Sequence, residues 1–290
     1  MRVMGPDHNV NTLPPTDEIM FSKIHDAFSR NKNETDSDVW WLPLDPETPL
    51  EPSLLGGKGV GLIRLMRAGF NVPAGVVLTT QFLHDFYFLE EPAIRRQLDA
   101  ALNAQGRPNL LWAVRCSPAD RICDKPAVAD RMETFLNVPA ADLFDCVKQC
   151  WAAVYADRDQ VYRFDQKNGS GPFLAVILQQ MAAVQCAGVL YTRHPDRPDR
   201  DAIVIKGVSG LNRKLQSGSC PQPDCLELDR NGQRPGAEAG GRKSCLDSVG
   251  DEVLARLACD LEQALGAPQV ADWVFDGRIL WVIESRPAAA

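Results

Sequence analysis

At 290 residues with 45% hydrophobic content, the chain is long enough to bury one large core or two smaller ones. Its formal charge of -7 argues against a general nucleic-acid or anionic-membrane surface, while leaving room for a local basic pocket. No apolar run is long enough to span a bilayer, and the polar, proline-containing opening residues do not read as a signal peptide.

The nine cysteines are an odd count without the density of a small disulfide scaffold, so mostly reduced thiols and a cytoplasmic location are expected. Cys146 and Cys150 share one face of a predicted helix, and Cys220 and Cys225 flank a Pro-Gln-Pro-Asp turn. Neither pair has a Cys or His partner at zinc-finger spacing. The histidines His8, His25, His84 and His194 form no H-x-x-x-H pair, which leaves them ordinary surface or capping roles.

Residues 1–35 are rich in Pro, Asn, Asp and Lys and read as an N-terminal arm, partly disordered or wrapped on a neighbour, with one short helix predicted over Asp17–Ser29. Trp40–Leu44 is the first strongly apolar stretch, a strand or an anchor. The segment Leu55-Gly56-Gly57-Lys58-Gly59-Val60-Gly61-Leu62 follows, and Leu62–Ala68, closed by Gly69, has helical spacing and a helix-stop residue. That places Lys58 at a helix N-terminus, where free N–H groups favour phosphate and a lysine adds a mobile point charge. The Walker A spacing is absent. Taken alone, the segment reads first as a glycine-rich turn with a solvated lysine.

Val76–Thr79 reads as a strand, Thr79 or Thr80 as the cap of a helix from Gln81, and Pro92–Ala104 as a further helix. Leu110–Arg115 is predicted as a strand ending in Arg115-Cys116-Ser117-Pro118; a cation there suits a phosphate cleft or a surface ion pair. Asp120–Arg131 is a charged loop. Thr134–Val138 resumes a strand, and helices are predicted over Ala141–Tyr155 and Arg158–Gln166. From Pro172 the pattern turns to short strands over Phe173–Gln180, Ala187–Thr192, Ala202–Lys206 and Cys225–Leu228. A helix over Asp251–Leu265 precedes Ala271–Phe275 and Ile279–Glu284, joined by the hairpin signal Asp276-Gly277. In that hairpin Glu284 and Arg286, two apart, share a face that Asp272 can approach across the turn. Two carboxylates and an arginine suit a magnesium-nucleotide site, or form a surface salt bridge worth about 0–1 kcal/mol.

Together these blocks resemble the N-terminal nucleotide-binding domain of the pyruvate phosphate dikinase and phosphoenolpyruvate synthase family. The resemblance is carried by Leu55-Gly56-Gly57-Lys58-Gly59, Arg67-Ala68-Gly69, Val72-Pro73-Ala74-Gly75, Ala113-Val114-Arg115-Cys116-Ser117, Glu133-Thr134-Phe135-Leu136-Asn137-Val138, Gln179-Gln180-Met181, Ala187-Gly188-Val189-Leu190-Tyr191-Thr192, Ser217-Gly218 with Pro223-Asp224, Asp272-Trp273 and Leu280–Pro287, in that order. It implies an α+β, ATP-grasp-like fold of two or three α/β subdomains around a central cleft, arranged as residues 36–170 with Lys58 and Arg115 and residues 171–290 with an adenine strand and a metal-binding hairpin. It further implies ATP and Mg2+ as cofactors. Gly57, Lys58 and Arg115 would hold phosphates, Gln179, Gln180 and Met181 would line the adenine pocket, Asp272 and Glu284 would hold magnesium, and Arg286 would stand nearby as a catalytic cation with Lys58 and Arg115. The Lys58 ammonium and the acidic hairpin are then expected to close around one triphosphate.

Departures from the family pattern are equally specific. Asp130 replaces a glycine of the phosphate-covering loop, Gly210-Leu211-Asn212-Arg213 replaces a G-L-G-E turn, Val270 replaces an acidic residue, Glu284 stands where glutamine is usual, and the Phe82–Leu110 segment is short. The family's phosphohistidine and phosphoenolpyruvate domains are absent from these residues. The expected function is ATP-dependent phosphotransfer, kinase-like or dikinase-like, to a small molecule or to an acceptor on a separate protein, with no nucleic-acid or membrane partner. The alternatives are a catalytically altered binding or regulatory module, or an enzyme using the scaffold for other chemistry.

Overall fold

A computed structural model describes residues 2–3, 39–86, 91–105, 110–119, 134–155, 174–197, 199–210, 223–235 and 244–288. The predicted Asp17–Ser29 helix, the Asp120–Arg131 loop, the Arg158–Gln166 helix, the Ser217-Gly218 loop, Asp130 and Arg213 lie outside the described residues. Two units result, Met1–Ile63 with Ala74–Met181 and Arg64–Pro73 with Ala182–Ala290.

The first unit contains β1 (Arg2–Val3), β2 (Trp41–Pro43), most of helix α1 (Pro52–Arg67), β3 (Gly75–Leu78), helices α2 (Thr80–Phe86) and α3 (Glu91–Asn103), β4 (Trp112–Pro118), β5 (Thr134–Val138), helix α4 (Leu143–Tyr155) and β6 (Leu174–Gln180). Its strands form one sheet in the order β1-β5-β4-β6-β3-β2, antiparallel except for the β1–β5 edge. Residues at period two from β3, β4 and β6 (Val76 and Leu78, Val114 and Cys116, Val176 and Leu178) meet Phe82, Ile94, Leu98, Val147 and Trp151 of the helices in one core. Cys146 and Cys150 are buried in that core, which accounts for their helical spacing. In β5 an extra residue opposes Ala113, and Asn137 takes φ 58°, a conformation asparagine tolerates better than most residues.

β6 was expected with the later part of the chain, beyond residue 170. It instead pairs on one side with β3 and on the other with β4, which makes it a central strand of the first unit. Pairing partners distant in sequence decide this, and local pattern carries no record of them.

The second unit contains β7 (Cys186–Tyr191), β8 (Ile203–Ser209), β9 (Asp224–Leu228), helix α5 (Asp251–Leu265), β10 (Gln269–Phe275) and β11 (Leu280–Pro287). The sheet order is β11-β10-β7-β8-β9, antiparallel throughout. Helix α5 buries Leu254, Ala255, Leu257, Ala258 and Leu261 and packs against β10 and β8. On that covered face stand Ala271, Trp273 and Val282; at Gly188 an added Cβ would come within 2.6 Å of the Trp273 ring, so glycine makes room for the indole. A ring of ion pairs ties the strand ends to the helix. Arg193 bridges Asp201 (2.7 Å) and Glu262 (2.9 Å), and Arg230 bridges the same two carboxylates (2.8 and 3.2 Å). The Arg230 hydrogen bond holds Asp201 below the usual carboxylate range.

The structure thus mixes helices with predominantly antiparallel sheets, the α+β class expected from the sequence.

Candidate functional site

Helix α1 is broken at Gly56, whose φ of 67° and ψ of 171° lie outside helical space. Regular helix therefore starts at Gly57, with Lys58 in its first turn, as the sequence indicated. Glycine is needed at position 56 for a second reason: an added Cβ would overlap the carbonyl and hydroxyl oxygens of Ser117. The buried Ser117 hydroxyl donates to the Leu55 carbonyl at 2.8 Å and accepts from the Gly59 N–H at 3.1 Å. A strand end and a glycine-rich helix start are thereby locked together. Thr80 secures the same lead-in by donating its hydroxyl to the Ser53 carbonyl at 2.8 Å.

Arg115 does not stand at the end of its strand. β4 continues through Cys116 and Ser117 to Pro118, because each of these residues finds a partner on β6. The tripeptide that resembles a polar turn in sequence is in fact paired backbone. Period two separates Trp112, Val114 and Cys116, which face the helical core, from Ala113, Arg115 and Ser117 on the opposite face. Arg115 is only 6% exposed and shares its face with Ser117, hence with the side of the sheet on which α1 begins. A guanidinium this far from water interacts more strongly with an anion than one at the surface.

Gln179 and Gln180 are neighbours on β6 and leave opposite faces of the sheet. Gln179 is buried, pairs with Ala113 in register, and lies on the Arg115 side; Gln180 is half-exposed and pairs with Trp112. The backbones of the segment are engaged as well, with Gln180 N–H donating to Ala74 O at 2.8 Å and Met181 N–H to Leu111 O at 2.9 Å.

In the second unit, Asp272 and Glu284 are direct cross-strand partners. Their Cβ atoms should lie about 4.5–5.5 Å apart, close enough to share one cation. The register explains how. Val282 pairs with Trp273 on the helix-covered face, and simple alternation would put Glu284 on that face too. The ladder shifts between Asp272 and Trp273, leaving Ile283 as an extra residue on β11, and the bulge turns Glu284 to the uncovered face beside Asp272. Arg286 lies on this same face opposite Val270. Asp272 is 8% exposed, Glu284 half-buried and Arg286 exposed. Asp276 closes the hairpin: its Oδ1 accepts from the N–H groups of Arg278 (2.8 Å) and Ile279 (2.7 Å), and its Oδ2 accepts from Trp281 Nε1 (2.8 Å).

The sequence reading missed two residues. One is Ser117, whose clamping role depends on contacts with residues some sixty positions away and leaves no local trace. The other is Lys206. The register Asp272–Val189–Lys206 puts it on the carboxylate face, two strands from Asp272 and so about 10 Å away. Its Nζ lies 5.6 Å from the Tyr191 ring centroid. A lone lysine in the otherwise apolar run Ala202–Val208 was a usable signal.

Among the described residues no group of three or more His, Cys, Asp and Glu side chains is placed to hold a metal ion. The facing carboxylates Asp272 and Glu284 nevertheless suit magnesium, which commonly takes one or two protein carboxylates and completes its shell with phosphate oxygens and water. Among the described residues no helix is long and apolar enough to cross a membrane.

The family profile described as pyruvate phosphate dikinase, AMP/ATP-binding domain, matches residues 89–240, just over half of the chain. Arg115, Gln179, Gln180, Met181 and Lys206 fall inside the match, whereas Lys58, Asp272, Glu284 and Arg286 fall outside it. The chain is 25% identical to a probable phosphoenolpyruvate synthase of Methanothermobacter thermautotrophicus, over 81% of this chain and 44% of the relative. It is 29% identical to the rifampicin phosphotransferase of Bacillus subtilis, over 81% of this chain and 34% of the relative. It is 26% identical to the prodigiosin synthesizing transferase PigC of Serratia marcescens, over 85% of this chain and 33% of the relative. The chain thus spans less than half the length of these relatives.

Proposed function

Because the chain belongs to the pyruvate phosphate dikinase AMP/ATP-binding domain family, we propose that it binds magnesium-ATP and transfers a phosphoryl group to a small molecule or to an acceptor on a separate protein. The observation that carries this is the Ser117 clamp, which fixes the Lys58 helix start to the Arg115 strand. Lys58, the Gly57 and Lys58 backbone N–H groups and the Arg115 guanidinium would hold phosphate oxygens, and Gln179 with Met181 would line the base pocket of an ATP-grasp-like site. Asp272 and Glu284 would hold magnesium, which supplies charge neutralisation on the polyphosphate when bound. Arg286 adds a cation on the same sheet face as those carboxylates. Phosphoryl transfer depends chiefly on positioning and charge neutralisation, so this set requires no covalent residue of its own. The names of relatives such as phosphoenolpyruvate synthase and rifampicin phosphotransferase support phosphotransfer as the reaction class.

Magnesium-ATP is expected to raise the melting temperature of the chain by mass action, and Lys58→Ala and Glu284→Ala are each expected to remove that shift. Resolving AMP from ADP among the products then separates dikinase-type from kinase-type cleavage. No shift at millimolar magnesium-ATP would refute the proposal.

A second reading, a nucleotide-binding module without transfer, is favoured by Val270. It stands opposite Arg286 on the carboxylate face, where the resembled family carries an acid, and offers no ligand. Tight binding of magnesium-ATP with no consumption of it in the presence of candidate acceptors would select that reading.

A further inference from the structure

On the helix-covered face of the second sheet, remote in chemistry from the carboxylates, two thiols meet. Cys186 opens β7, is fully buried, and pairs in register with Phe275 on one side and Ser209 on the other. Cys245 opens the 3-10 turn Cys245–Ser248 and is half-exposed. Their sulfurs lie 2.7 Å apart, only about 0.7 Å beyond the roughly 2.05 Å of a covalent S–S bond. Both are free thiols.

Backbone restraints on both sides bring the sulfurs together. Cys186 is held in a central strand. The turn that carries Cys245 is pinned by Asp224, whose Oδ2 accepts from the Cys245 N–H (2.9 Å) and the Ser244 hydroxyl (2.7 Å). Ser244 and Asp247 close a reciprocal capping box around the same turn. The absent side chain at Gly207 also matters, since a Cβ there would lie 3.5 Å from the Cys245 sulfur and overlap Leu246.

We propose that Cys186 and Cys245 form a covalent modification site, closed into an intramolecular disulfide by exchange with a low-molecular-weight disulfide such as oxidised glutathione. Entry is at Cys245, because Cys186 is buried. The Cys245 thiolate attacks one sulfur of the reagent, the reagent S–S bond breaks, and the first glutathione leaves as thiolate. Cys186 then loses its proton to solvent and attacks the Cys245 sulfur, and the mixed disulfide breaks to release the second glutathione thiolate, which takes up a proton. Two cysteine thiols are oxidised and one reagent disulfide is reduced to two thiols. Burial raises the pKa of both cysteines, and Asp224 beside them adds to it, so the exchange is slow and the bond, once closed, is shielded. The product staples the Cys245–Ser248 turn, and through Asp224 strand β9, to β7, which neighbours the Asp272 strand.

The test uses the full chain, incubated natively with oxidised glutathione, alkylated, digested without reduction and read by peptide mass spectrometry. A peptide linking residues 186 and 245 and the loss of two titratable thiols per chain are expected. Cys245→Ser should leave Cys186 unmodified, and Cys186→Ala should arrest Cys245 as the glutathione adduct. The oxidised wild type should melt about 5 °C or more above the reduced form. An unchanged thiol count at positions 186 and 245, a wild-type chain arrested at the Cys245 adduct, a link from Cys245 to Cys225 or Cys259, or an oxidised chain that melts lower would each overturn the proposal.

Discussion

Replacing Gly56 by alanine tests the element on which the phosphate-binding argument turns. At φ 67° and ψ 171° the backbone occupies a region essentially restricted to glycine, and forcing an L-residue into it costs about 1–3 kcal/mol. The new Cβ would also overlap the Ser117 carbonyl and hydroxyl oxygens, and displacing that backbone costs about another 1–3 kcal/mol. Together these give a loss of about 2–6 kcal/mol, or a fall in Tm of roughly 5–20 °C for a unit of this size. Gly61, in the same helix, supplies the comparison: its added Cβ would meet nothing within 4 Å, and alanine there should stabilise by about 0.5–1 kcal/mol. Thermal unfolding followed by circular dichroism separates the two substitutions. Magnesium-ATP titration should show weakened binding only for Gly56→Ala, since only that change displaces the Gly57–Gly59 N–H groups from the end of β4. If Gly56→Ala melts with the wild type, the break at Gly56 is not required by the Ser117 contact, and the account of how Lys58 is positioned fails.

Removing the Ser117 hydroxyl as Ser117→Ala should cost about 1–3 kcal/mol, because the buried Leu55 carbonyl and Gly59 N–H each lose a partner; urea unfolding reads the change, and an unchanged midpoint would contradict the clamp. Lys206→Met should lower the ratio of ATP to AMP affinity about tenfold if the lysine faces polyphosphate, and a constant ratio in parallel titrations would remove Lys206 from the site. Asp276→Ala should destabilise the hairpin by about 1–3 kcal/mol through three lost hydrogen bonds. The Ile279 N–H first, then Trp281, holds the Asp276 carboxyl below its ordinary value of 3.8. A depressed folded value means that the stabilisation is complete above the unfolded value and disappears as pH falls through the lower, folded one. The Tm gap between wild type and variant should therefore be constant near neutrality and close below about pH 4; a gap that widens on acidification would reverse the sign of that assignment.

The local structure around the candidate site residues was legible in the sequence, though unevenly. The Lys58 helix start, the Thr80 helix and the Asp276-Gly277 hairpin follow from glycine, capping and turn chemistry that acts over a few positions. The Arg115 segment misled because Cys116-Ser117-Pro118 has turn-like composition, yet β6 supplies hydrogen-bond partners that keep it extended.

Local periodicity and turn chemistry by themselves determined most of the described helices and strands and their order along the chain, because those preferences are set by near neighbours, whereas the α+β class followed from the family resemblance of the assembled blocks. Only the tertiary structure decided that β6 lies between β3 and β4, that Ser117 docks on Gly56, that an extra Ile283 turns Glu284 toward Asp272, and that Cys186 meets Cys245. Each depends on register or contact between residues remote in sequence, and a one-residue shift in a strand reverses the face on which every later side chain emerges.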